Sequence, residues 1–100
     1  MSDKLWKALE RYYAKALGGE RVPVNSTTNV KCDVATQCFS VEIKERKELP
    51  VFLKDCMDQA VTNCEVGKTP LVILHEKGKR HDSDFVVMRA GDFIDWHGGL

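Results

Sequence analysis

Two adjoining stretches of strict alternation constrain this chain more than anything else in it. From Val30 to Val34 and again from Phe39 to Lys44, apolar and polar residues take turns, within stretches that run on to Ala35 and Arg46. In an extended strand, alternate side chains face opposite ways. Val30, Cys32 and Val34 therefore share one face, and Lys31, Asp33 and Ala35 the other. In the second stretch Phe39, Val41 and Ile43 lie opposite Ser40, Glu42, Lys44 and Arg46. A tight turn at Gln37-Cys38 pairs Thr36 with Phe39, Val34 with Val41 and Asp33 with Glu42. A slip of two residues keeps Asp33 on the Glu42 face, and only such slips match apolar to apolar. Two facing carboxylates, their Cβ atoms about 5 Å apart, destabilise a sheet by themselves. The pattern calls for a cation between them, and a divalent metal is the natural candidate, with Lys44 one step along the same ridge.

The flanking segments read as an α/β chain. Ser2 or Asp3 can cap a helix reaching about Leu17. Its apolar stripe is Leu5, Leu9, Tyr12 and Ala16, with Trp6, Glu10, Tyr13 and Leu17 alongside. Glu10 thus falls within an apolar face, either as a functional acid or as an edge residue paired with Lys7 one turn back. Gly18-Gly19 ends this helix. Glu20 to Asn25 reads as a short strand whose Pro23 argues for an edge or a bulge. The small polar run Asn25 to Asn29 reads as a loop. Pro50 suits the first position of a second helix closed by Gly67, with Leu53, Met57, Ala60 and Cys64 inward and Gln59 near the packed face. Pro70 to His75 is an almost continuous apolar run, the signature of a strand buried on both faces. Phe85 to Met88 reads as a further strand and Ala90 to Trp96 as a short final helix. The expected architecture is a single domain over residues 1–100. It has an N-terminal helix, a mixed central β-sheet, a crossover helix and a short C-terminal helix.

Charge and cysteines exclude some chemistries. Fifteen basic and fifteen acidic residues cancel, so a polyanionic partner must be met by local positive charge. The most basic locality is His75 to Asp84, where Lys77, Lys79, Arg80 and His81 surround Gly78. It is either a solvated hairpin tip or a finger that contacts phosphate. Cys32, Cys38, Cys56 and Cys64 form no CxxC pair, which argues against a cysteine zinc site and leaves reduced thiols as the expectation. The chain carries no signal-like segment and no apolar run near membrane-spanning length, so the sequence predicts a cytoplasmic protein. Nucleophile-elbow, GxGxxG and Walker sequences are absent.

Hard oxygen donors from Asp33 and Glu42, supplemented by the Ile43 carbonyl and Glu10, suit Mg²⁺ or Mn²⁺ better than zinc. Such a site favours phosphodiester hydrolysis, with Lys44 orienting water or neutralising charge on the phosphate. Glu10, Asp33 and Glu42-Ile43-Lys44, preceded by LGGERVPVNS, resemble the PD-(D/E)xK nuclease superfamily, above all its small Holliday junction resolvases and compact phage-type nucleases. The resemblance spans roughly residues 5–76. It implies a restriction-endonuclease-like core, Mg²⁺ dependence and a homodimer that cuts branched DNA, acting in a host cytoplasm if phage-encoded. Asp33 and Glu42 would be metal ligands, Lys44 the catalytic lysine, and Glu10 the helix-borne acid. Ser26 would lie near the scissile phosphate and Gln59 at a polar position on the following helix. Ser26 and Gln59 also have plain readings, as a self-solvating loop residue and a core-edge amide.

The residue before Asp33 is Cys32 where the family motif has proline, and the net charge is zero. These departures keep a second reading in play, a non-catalytic DNA-binding module that retains the nuclease fold. In a third, purely structural reading, Glu42 and Lys44 form only a surface ion pair. Trp6, Tyr13, Phe85 and Trp96 are either exposed dimer anchors or core.

Overall fold

The computed structural model describes residues 2–23 and 31–98. Ser26, with the rest of the predicted polar loop, lies outside the described residues.

Helix α1 runs over Ser2–Ala16 and stops at a glycine pair. Gly18 sits at φ 73°, its N–H donating to the Lys15 carbonyl, while the Gly19 N–H reaches the Ala14 carbonyl at 2.7 Å. Those two bonds around a left-handed residue make a Schellman stop. Gly19 is confined as well: a Cβ built there would lie 2.2 Å from the Ala35 carbonyl oxygen. The close approach feeds the chain directly into β1 (Glu20–Arg21), which pairs antiparallel with β2 (Val34–Ala35), which pairs in turn with β3 (Ser40–Val41). Of the two stripes expected on α1, the second turns inward. Glu10, Ala14 and Leu17 are buried while Leu5 and Tyr12 are exposed. With Cys32 and fully buried Val34 they form a small core.

The hairpin register is the one that the alternation predicts. Val34 faces Val41, Ala35 faces Ser40, and the Thr36 N–H donates to the Phe39 carbonyl. The Thr36 hydroxyl accepts the N–H groups of Cys38 and Phe39, which fastens the Gln37-Cys38 turn. Both strands are much shorter than expected. The chain bends at Cys32 and Asp33, and the Asp33 side chain takes the Ile43 N–H, which a longer ladder would otherwise use. The alternation of burial nevertheless continues past the ladder: Ile43 is partly buried, and Glu42 and Lys44 are exposed.

The described residues fall into two compact units, one within residues 1–46 and 94–100 and the other over residues 47–93. In it α2 (Val51–Thr62) follows Pro50, and β4 (Val72–Leu74) pairs antiparallel with β5 (Phe85–Val87). Leu53, Cys56, Met57 and Ala60 are half-buried along α2, close to the predicted stripe. The final helix, α3, spans Ala90–His97 and crosses the boundary between the units.

The described residues thus make a small α/β fold of three α-helices and two small antiparallel sheets. A single mixed central sheet does not form among the described residues: β1, β2 and β3 make one sheet, β4 and β5 another. β4 takes its neighbour through a short antiparallel connection, a smaller entropic cost than a parallel pairing that must span a helix. α2 is therefore a link between sheets and not a βαβ crossover. Ile73, expected inside, is 56% exposed for the same reason, since among the described residues its sheet has two strands. No described helix is long and apolar enough to cross a membrane.

Candidate functional site

Asp33 lies just before β2, where its hydrogen bonds tie it to the β3 end and the segment that follows. Its N–H donates to the Val41 carbonyl at 2.8 Å, and its Oδ2 accepts the Ile43 N–H at 2.7 Å. The aspartate is locked to the backbone of the segment that bears the other candidates. Glu42 and Lys44 project from the exposed side of that segment, and Glu42 Oε1 lies 3.9 Å from Lys44 Nζ. The two side chains are 57% and 81% exposed, so their attraction is weak and easily rearranged around a ligand.

Glu10 goes elsewhere. Its carboxylate is 2% exposed and accepts a 2.9 Å hydrogen bond from Arg21 Nε on β1. Neither the expected Lys7 pairing nor a free metal-binding acid results. The Schellman stop folds β1 back along α1, and the buried carboxylate takes the guanidinium that this return delivers. The sequence shows Glu10 on an apolar face but gives no sign of a partner eleven residues away.

The residues fit a hard divalent cation in part. Asp33 and Glu42 supply carboxylate oxygens on one hairpin, the donor chemistry that Mg²⁺ and Mn²⁺ prefer. Ile43 meets Asp33 through its N–H, not through the carbonyl expected to ligate metal. Glu10, Asp33 and Glu42 do not draw their ligand atoms together in this structure. Among the described residues the one such group of three is His75, His81 and Asp84.

The remaining candidates lie in the second unit. Gln59 is exposed on α2, not near a packed face. Lys77, Lys79 and Arg80 stand in solvent around a turn in which Lys79 N–H donates to the Glu76 carbonyl. Gly78, at φ 87°, takes the position where only glycine is unstrained. Arg80 Nη2 lies 3.5 Å from Asp82 Oδ2 in an exposed pair. Phe85 and Trp96 are largely exposed, while Trp6 and Tyr13 are half-buried. All four cysteines are free, with Cys32 alone buried.

No family profile, curated protein or solved structure matches the chain.

Proposed function

We propose that this chain is a Mg²⁺- or Mn²⁺-dependent endonuclease that hydrolyses phosphodiester bonds in branched DNA, with its site on the β2–β3 hairpin. The observation that carries the proposal is the Val34–Val41 register, which sets Asp33 against Glu42-Ile43-Lys44 through the 2.7 Å bond to Ile43. Asp33 and Glu42 would hold the cation. When bound, such an ion would polarise a phosphoryl oxygen and make a coordinated water more acidic. Lys44 Nζ, on its flexible stem, orients the attacking water or offsets the charge gathering on the pentacovalent phosphate. Hydrolysis adds the water oxygen to phosphorus, breaks one P–O ester bond and leaves its proton on the departing alkoxide. In this reading Glu10 acts at a distance, holding α1 to β1 through Arg21.

The reading includes a homodimer, because a branched substrate presents two strands to cut. DNA contacts outside the site fall to Lys77, Lys79 and Arg80, to Ser26 and to Gln59, which is exposed.

A second reading is favoured by one observation: the carboxylates of Glu10, Asp33 and Glu42 each already have a partner. On that reading the chain binds DNA without cutting it. Mn²⁺ titration calorimetry separates the two. The nuclease binds Mn²⁺ through Asp33 and loses that binding in Asp33→Asn, whereas a binding module shows no Asp33-dependent heat. Loss of cleavage in Glu42→Ala, with the circular dichroism spectrum unchanged, supports the nuclease; undiminished cleavage rules it out.

A further inference from the structure

The second unit holds a ligand set that the nuclease reading does not use. His75 directly follows β4 and Asp84 directly precedes β5. Leu74 faces Phe85 in the register, so His75 and Asp84 form the next opposed pair. Their side chains meet, with His75 Nδ1 2.6 Å from Asp84 Oδ1. The connection between them returns through a 3-10 turn, His81–Ser83, in which the Asp84 N–H donates to the His81 carbonyl. That turn brings His81 Nδ1 to 3.4 Å from the other oxygen, Asp84 Oδ2. The two imidazoles stack with centroids 4.7 Å apart and planes inclined by 30°, so one carboxylate serves two stacked rings.

We propose that His75, His81 and Asp84 bind a transition-metal dication of the zinc class. Zn–N and Zn–O bonds of about 2.0–2.2 Å place neighbouring ligand atoms roughly 3.3 Å apart. Here the three ligand atoms already lie within 4.8 Å of one another. Two imidazole nitrogens and one carboxylate select zinc, cobalt or nickel over magnesium. The ion takes the Nδ1 lone pairs, with both rings as the Nε2–H tautomer, and replaces the hydrogen bonds to Asp84. A second feature supports a ligand here. His75 and Asp84 line a cleft of about 280 Å³ together with Lys79 and Phe85, and three protein ligands leave a fourth position for water or an anion. Asp84 is only 14% exposed, so its charge is held away from bulk water where a cation gains most. Binding would also close the connection that carries Lys77, Lys79 and Arg80 into a ring.

The site and the proposed nuclease centre use different residues and different metals, so either can fail alone. The test is zinc titration calorimetry on the whole, metal-stripped chain, alongside His81→Ala, Asp84→Asn and a Cys38→Ser/Cys64→Ser variant. His81 is 89% exposed, so its removal leaves folding intact. The expected result is one Zn²⁺ per chain, bound at least roughly tenfold more weakly in His81→Ala and Asp84→Asn and unchanged without the two cysteines. Co²⁺ should give a d–d spectrum lacking thiolate charge transfer. Absence of zinc binding to the wild type, equal binding by His81→Ala, or loss of binding with the cysteines would each overturn the proposal.

Discussion

Asp33 and Asp84 stand in similar places and do different things. Each lies just beyond the end of a short antiparallel ladder, beside the residue that the register sets against it. Asp33 gives an oxygen to the N–H of Ile43, which lies in the sequence between the glutamate and lysine of an exposed ion pair. Asp84 gives both oxygens to imidazoles. An aspartate among oxygen donors and an ammonium suits a hard cation and a phosphate. The same carboxylate between two histidines suits a softer metal. What surrounds a carboxylate decides its chemistry more than its position on a hairpin does.

The largest effect is expected from removing a charge on the Asp33 hairpin. Glu42→Ala should lower metal-dependent cleavage of branched DNA by about 10²–10³-fold, the usual cost of losing a group that stabilises transition-state charge. Arg21→Ala comes next in size. It leaves the Glu10 carboxylate buried without its partner, and denaturant unfolding should show a loss of about 3 kcal/mol. If stability is unchanged instead, Glu10 is held by something other than this pair.

The basic turn offers a smaller test. Replacing Lys77, Lys79 and Arg80 together should weaken DNA binding and flatten its salt dependence by up to about three unit charges. An unaltered slope makes the turn a solvated tip. Least of all, Lys44→Gln should change stability by under about 1 kcal/mol, because its ion pair with Glu42 is exposed. A thermal unfolding scan reads this directly. A small stability change paired with a large loss of cleavage would mark Lys44 as chemical and not structural.

The two sites were legible in the sequence to different degrees. The Val34–Val41 register could be read because a period of two and a two-residue turn together fix it. The length of the strands could not, because a single side-chain bond from Asp33 to the Ile43 N–H ends the ladder early. Glu10 was visible as a polar residue on an apolar face, but Arg21 reaches it only because Gly18 and Gly19 reverse the chain. The expected central sheet failed at β4, whose apolar run is compatible with either a central strand or a two-stranded hairpin. His75 and Asp84 do flank the two apolar runs, a signal in hindsight. The third ligand depends on a 3-10 turn at His81–Ser83 that no periodicity announces.

Under the proposed function, Asp33 and its hairpin partners cut DNA. Wild type and Asp33→Ala should be incubated with Mg²⁺ or Mn²⁺ and a labelled four-way junction, a flap and a linear duplex, with circular dichroism confirming that both are folded. The account predicts metal-dependent cutting of branched substrate by the wild type and none by the folded variant. Equal cutting by both, or none by the wild type on any substrate, would contradict it.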